Sequence, residues 1–316
     1  MSTYSNLLVV ITENCEARPA FERALVLAGH VGARLTLIDI VEPIPEETQA
    51  LIDVGILQAL ERTSGEQRAA SLAAFAVEAK RAGVAVATKL ASGSAFRVAI
   101  RTVLQDGYDL VVKTIDRRDE RSRSTHGGTD KHLLRKCPCH LWLVAEREPP
   151  EGTSVLAAVN PDPSDPEDSA LAAQILAAAT TIAVLDGAPL DVLHAWKVFG
   201  EWLLRGPEPL VSDPEVDHIV GQGLNRHDGF LDALIENTPT PGIVPSKHLV
   251  HARPADAIID FVASHPIRLL VMGTVGRTGV PGLLIGNTAE RVLSEVTCSI
   301  FALKPRGFVS PVTLES

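Results

Sequence analysis

Aromatic residues are scarce: eight Phe, two Tyr and three Trp make up 4% of the 316 residues. A core of stacked rings is excluded, so a chain that is 46% hydrophobic must build its interior from Ala, Leu, Val and Ile. Such a composition fits α/β proteins with buried parallel strands. Positive charge is also short. The 29 Lys and Arg face 39 Asp and Glu, a formal net charge of -10. Phosphate backbones and anionic lipid surfaces need clustered Lys and Arg, which argues against nucleic acid or a membrane as partner. Cysteine is limited to Cys15, Cys137, Cys139 and Cys298, with no dense disulfide pattern, as expected in a reducing cytosol. Cys137 and Cys139 form a C-x-C without further ligands at zinc spacing, and the apolar run that follows reads them as buried thiols. No metal site is expected.

Other signals are missing as well. The start, MSTYSNLLVVITEN, lacks the charged end and long apolar core of a secretory leader. The longest apolar stretch, residues 169–185, falls short of the ~20 needed to span a bilayer and carries Gln174, Thr180 and Thr181; it reads as a buried helix. The expected location is therefore cytoplasmic. No G-x-S-x-G elbow and no H-E-x-x-H is present. HGGTDK, residues 126–131, stands before a last helix and not after a first strand, so it reads as the remnant of a degenerate glycine loop. His194, His248 and His251 could gather near the strand ends, but His248 and His251 fall on opposite faces of one strand and cannot form a paired metal site. Asp256 and Asp260 share a helix face that reads as solvated. No catalytic constellation emerges, and the chain is expected to be no enzyme, with ATP hydrolysis at most slow and incidental.

What is present is alternation. Short apolar runs at 7–12, 34–41, 84–91, 109–115 and 140–145 are separated by helical patterns near 16–31, 64–82, 95–106 and 129–136. The second half repeats this, with runs at 155–160, 190–198, 247–252, 268–273 and 299–304 and helices near 166–184, 213–237, 254–264 and 288–295. Strands separated by helices make right-handed βαβ units. The expectation is α/β: two tandem open-twisted, mostly parallel five-stranded sheets with helices on both faces. The charged, proline-paired linker 146–152 puts the boundary near 150, giving domains 1–150 and 151–316. The halves align at an offset of 148 on the first strand and 159 from the third strand onward. At 159, Leu110 falls on Leu269, Val112 on Val271, Gly127 on Gly286, Thr129 on Thr288 and Cys139 on Cys298, which indicates duplication.

One stretch asks for an explanation. After the apolar run ending at Met272, Gly273, Gly276, Gly279, Gly282 and Gly286 precede a helix that begins NTAE, with Asn287 expected as N-cap and Glu290 completing a capping box. Free N–H groups at a helix start attract anions, and glycine lets main-chain amides approach phosphate. The competing reading is a turn whose glycines merely let the helix pack close to the sheet. The spacing Gly273-x2-Gly276-x9-Gly286, with the duplication, resembles the universal stress protein family, and its tandem-domain members in particular. That resemblance implies strand order 3-2-1-4-5 and an ATP-type ligand in the second half. The ligand would be held by Asn160 where the family has Asp near adenine, by Met272, Gly273, Gly276 and Arg277, and by Gly286, Asn287 and Thr288. The first half has TIDRRDERSRSTHGG in that place: Thr114 and Arg117 replace glycines, and Asp116, Asp119 and Glu120 would repel phosphate. No nucleotide is expected there.

The resemblance also implies a stress-related binding role and packing of the two halves as a pseudo-dimer through their last strands, with homodimerisation open. Two alternatives stand beside it. Residues 199–224, with Trp202, Leu203, Leu204, Leu210 and Val211, could cover a pocket for an apolar carrier ligand, or the chain could be a ligand-free scaffold.

Overall fold

A computed structural model describes residues 4–13, 15–116, 128–147, 150–206, 211–274 and 286–314. Gly276, Arg277, Arg117, Asp119, Glu120, Gly127, His126 and Leu210 lie outside the described residues.

The first repeat runs β1 (Asn6–Ile11), α1 (Ala17–Val31), β2 (Arg34–Val41), α2 (Glu46–Gln49), α3 (Val54–Arg81), β3 (Val86–Ser92), α4 (Ala95–Asp106), β4 (Leu110–Thr114), α5 (Gly128–Lys136) and β5 (His140–Val144). The second runs β6 (Ser154–Val159), α6 (Pro166–Asp186), β7 (Leu190–Trp196), α7 (Glu201–Leu204), α8 (Asp213–Asn237), β8 (Ser246–His251), α9 (Pro254–Ser264), β9 (Ile267–Gly273), α10 (Asn287–Glu295) and β10 (Ser299–Leu303). The chain divides into two compact units. The first takes in the described residues up to 147 and those from 299 onward; the second takes in those from 150 to 274 and from 286 to 298.

In the first unit β3, β2, β1, β4 and β5 stand in that order, all parallel. In the second unit the order β8, β7, β6, β9 reproduces it, again parallel. The expected five strands per half need one correction. The second repeat's last strand, β10, belongs to the first unit, where it lies antiparallel to β5 with Phe301 opposite Trp142. Without it β5 would present a row of unpaired N–H and C=O groups. The ring contact between Trp142 and Phe301, 5.4 Å between centroids, adds apolar contact to the main-chain ladder.

The core is aliphatic, as the composition requires. Leu7, Leu8 and Val9 of β1 and Leu110, Val111 and Val112 of β4 are fully buried, as are Val155, Leu156 and Ala157 of β6. α6 is the one described helix long and apolar enough to cross a membrane. Here it lies against β6 and β9 and buries Ile175, Leu176, Ala179 and Ile182. α3 starts ten residues before its expected position. Its first turns are almost wholly exposed, so no apolar stripe marks them, and the Asp53 carboxylate, accepting the Gly55 N–H at 2.8 Å, sets the start.

Candidate functional site

In a parallel sheet, ligands sit beyond the carboxyl ends of the strands, where neighbouring connections leave in opposite directions. That place lies between β6 and β9 in the second unit and between β1 and β4 in the first.

In the second unit β9 ends at Gly273. A side chain there would meet Leu171 of α6, since an added Cβ would lie 2.9 Å from Leu171 Cδ2. Gly273 thus has a packing reason: a larger residue would have to displace the Leu171 side chain of α6. Met272 is buried and offers only its main chain. Thr274 follows, also buried, and its carbonyl accepts the Gly286 N–H at 2.9 Å. This bond closes the two ends of the 275–285 segment and sets the amino terminus of α10 beside the end of β9. Gly286, not Asn287, is the N-cap; Asn287 is already helical, so the expected Asn287–Glu290 capping box does not form. The Gly286 carbonyl accepts the Glu290 N–H, and no side chain caps the helix start. Asn287 is exposed and Thr288 half-buried. At the end of β6, the Asn160 amide donates to Asp168 in the first turn of α6 at 2.8 Å. The structure therefore brings Asn160, Gly273, Gly286 and Thr288 to one end of the sheet, with Asp162 and Asp168 on the adjoining β6–α6 connection.

A histidine pair next to this crevice was not foreseen. His194, the β7 residue in register with Val159 of β6, is buried. Its Nδ1 lies 3.1 Å from the Val159 carbonyl, and its Nε2 lies 2.9 Å from Nδ1 of His227 on α8. A carbonyl only accepts, so His194 carries its proton on Nδ1; its Nε2 then accepts from His227 Nδ1–H. Burial drags His194 down to about 4, and burial also lowers His227. The Trp196 indole lies between His227 and His251, with centroids 5.1 and 4.5 Å away and both rings nearly parallel. Its Nε1–H is buried without a partner. His251 reaches the Glu201 carboxylate at 3.0 Å, and His248, on the other face of β8, reaches Asp191 at 2.7 Å. Among the described residues no cluster suits a metal. Asp256, expected on a solvated face, pairs with Arg291 of α10.

The first unit holds different chemistry at the same positions. Asp39 of β2 stands in register with Ile11 as His194 does with Val159. It accepts from Arg68 Nη1 at 2.6 Å, while Arg68 Nη2 reaches Glu13 at 2.8 Å. Arg68 and His227 are 159 residues apart, the repeat offset. An imidazole pair in one half thus stands for a guanidinium–carboxylate pair in the other. At the end of β4, Lys113 is fully buried where the second half has Met272. Its ammonium donates to Asp130 of α5 at 2.9 Å, to Asp116 and to the Thr114 carbonyl at 2.8 Å. Asp130, standing where the second half has Ala289, also accepts the Asp116 N–H at 2.8 Å. Burial pulls Lys113 down, but Asp130, Cys15 and Asp116 outweigh it and leave the ammonium above its usual range. With two carboxylates to one ammonium, Asp116 is raised by its own burial and then by Asp130. Asp116, read from the sequence as a charge that would repel phosphate, is therefore part of the core. Thr114 is buried too, and its hydroxyl accepts the Ala20 N–H of α1 at 3.1 Å.

The alternative of a cover over an apolar pocket is not what residues 199–204 provide. Phe199 is 97% exposed and Trp202 75%, where a cover would bury both.

A model described as the Universal stress protein family matches residues 3–145 and again 154–304. Universal stress protein E of Escherichia coli (strain K12) is 29% identical over 317 residues, spanning 100% of this chain and 98% of that protein. Its namesake in Salmonella typhi is 30% identical over 318 residues, spanning 100% and 99%. Among solved structures, a protein of unknown function from Pseudomonas aeruginosa PAO1 superposes with a TM-score of 0.69 at 24% identity, over 96% of this chain and 93% of that one. A universal stress protein from Archaeoglobus fulgidus DSM 4304 gives 0.58 at 14%, over 94% and 98%. At these identities the structural likenesses speak for the fold.

Proposed function

The chain belongs to the universal stress protein family, and from that premise we propose that it acts by binding a ligand and not by turning one over. The second repeat takes an ATP-type nucleotide or related anion between Asn160, Gly273 and the start of α10; the first repeat takes none. The protein works in the cytoplasm, where ligand occupancy biases a regulatory surface and homodimerisation remains open to it.

The observation that carries this reading is the Gly286–Thr274 hydrogen bond. It sets a helix amino terminus, whose N-cap Gly286 has no side chain to cap it, at the carboxyl end of β9, and the main-chain amides there suit an oxyanion. In the first unit the matching space is occupied by Lys113, Asp116 and Asp130, which satisfy one another. Asp162 and Asp168 border the second crevice, so a polyphosphate enters with a divalent cation to offset their charge.

The test uses the full chain and Mg-ATP. Binding to the native state raises the melting temperature, with about 2.7 kcal/mol of added stability at one hundred times Kd. The Gly286→Asp variant separates folding from binding. Asp is a favourable N-cap and the backbone at 286 is extended, so the helix stands, while the added carboxylate repels phosphate. Wild type should show heat of binding and a rise in Tm, and Gly286→Asp neither. A wild type that ignores Mg-ATP, or a variant that binds it equally, defeats the reading and leaves a ligand-free scaffold.

A further inference from the structure

Between α5 and β5 the chain reads Cys137-Pro138-Cys139. The two Sγ atoms lie 3.6 Å apart. Cys137 is wholly buried, and Cys139 is partly open to solvent, so the pair is reached from the surface at its second member. Lys304, one residue past β10, is buried beside them and donates to the Leu134 carbonyl in the last turn of α5. The Phe308 ring lies 4.4 Å from the same ammonium, and the Ser310 hydroxyl donates to the Lys136 carbonyl at 2.6 Å. A dithiol thus sits under the C-terminal segment with a buried cation of its own.

The second repeat supplies an internal comparison. At the repeat offset Cys298 occupies the place of Cys139, but Val296 occupies that of Cys137. Cys298 is buried, and its thiol is pushed up to about 12 by that burial. In the pair, the hydrogen bond from Cys139 holds Cys137 below the usual thiol range, and the same bond keeps the proton on Cys139. Burial brings Lys304 down to about 8, so it is a usable acid near neutrality. The thiolate is the reactive form of cysteine, and here it has both a neighbouring thiol and a proton source.

We propose that Cys137 and Cys139 form a modification site that reacts with a hydroperoxide and closes to a disulfide. The shared proton passes across the Sγ–Sγ hydrogen bond to Cys137, and the Cys139 thiolate, the sulfur reached from the surface, attacks the terminal peroxide oxygen; the S–O bond forms, the O–O bond breaks, and the alkoxide leaves with a proton from Lys304. Lys304 regains that proton from Cys137. The Cys137 thiolate then attacks the Cys139 sulfenic sulfur, the S–S bond forms and hydroxide departs. The sum is one thiolate, one thiol and ROOH giving one disulfide, ROH and hydroxide. The two sulfurs are oxidised by two electrons and the peroxide is reduced by two.

The test treats full-length protein with one equivalent of cumene hydroperoxide, blocks free thiols with N-ethylmaleimide after unfolding, and maps the peptides. The peptide holding 137 and 139 should lose 2 Da and resist alkylation until dithiothreitol is added, while Cys298 stays fully alkylated. Cys137→Ser should stop at a sulfenic acid that dimedone traps on Cys139, and Lys304→Met should slow closure at least tenfold. Cys298→Ser should leave it unchanged. The proposal is overturned if both thiols of the wild-type peptide remain alkylatable, or if they oxidise no faster than Cys15 or Cys298. Wild-type mapping alone decides between these outcomes, even where a variant misfolds.

Discussion

Lowering the pH from 7 to 5 should weaken the second unit through His194. Its imidazole titrates near 4 in the folded chain because burial disfavours the cation, against about 6.5 in an unfolded one. A group whose folded pKa is depressed binds more protons when unfolded, so stability rises with pH between the two values and is lost as pH falls below about 6.5. Integrating one proton over that window gives a loss of about 2 kcal/mol between pH 7 and pH 5 and about 3 kcal/mol by pH 4. The cause is geometric. A proton on His194 Nε2 would point at His227 Nδ1–H 2.9 Å away, so His227 would have to exchange its own tautomer to receive it.

The assay is urea unfolding at pH 7, 6 and 5, resolved by hydrogen exchange of the β6 and β7 peptides, with β1 and β2 as reference. Trp196, stacked on His227, gives an independent fluorescence signal. His194→Gln should remove the acid loss in β6 and β7 while keeping a donor for the Val159 carbonyl. Equal acid loss in wild type and His194→Gln would refute the argument.

Lys113→Met alone leaves Asp116 and Asp130 buried without a cation and should cost ~3–5 kcal/mol in urea unfolding, whereas Lys113→Met with Asp116→Val and Asp130→Ala, the second half's own residues, should match wild type or exceed it. Asp116→Asn should be neutral or stabilising at pH 7: the raised folded pKa means that stability drains as pH climbs through it, and the amide abolishes that drain, while Asp130→Asn, which loses charge on both the Lys113 and Asp116 bonds, should destabilise. Gly223→Ala puts a Cβ 2.5 Å from Trp196 Cζ3, so its melting temperature should fall and the Trp196 emission shift. Gly229→Ala, on the same helix with open space around it, should instead stabilise by about 1 kcal/mol.

The inner strands were legible because parallel strands buried on both faces are written as unbroken apolar runs, while the largely exposed β3 and β8 showed only through shorter apolar stretches; α8 and α9 fall on their expected limits and the strands within two residues. The start of α3 was not, because its first turns bury almost nothing, and α7 is a single exposed turn. The site was legible only in outline. The spacing of Gly273 and Gly286 marked the right end of the sheet, yet the capping of α10 by Gly286 shows that a good N-cap residue one position too late yields to backbone geometry. Charged and titratable core residues were missed for a shared reason. Lys113 sits inside DLVVKTI and Asp130 inside a polar helix, where charge normally signals solvent; only a partner from a distant element makes burial tolerable, and a single sequence does not print that partner. The one available signal was the repeat offset, which sets Arg68 against His227 and Leu72 of α3 against Leu231 of α8, both leucines being buried.

Duplication gives each half a control for the other. At the carboxyl end of the sheet Asp39 and Arg68 answer to His194 and His227, and Lys113 and Asp130 to Met272 and Ala289. Each exchange is internally matched: a carboxylate gains a guanidinium, an ammonium gains carboxylates, and an uncharged pair replaces a charged one as a set. Drift by single substitutions would pass through an unpaired buried charge, at several kcal/mol per step. Matched exchanges at one end of the sheet, with the aliphatic strands beneath them unchanged in kind, indicate that the fold was held while the chemistry of the crevice was altered. In the first half that alteration placed Lys113, Asp116 and Asp130 at the strand ends, where they satisfy one another.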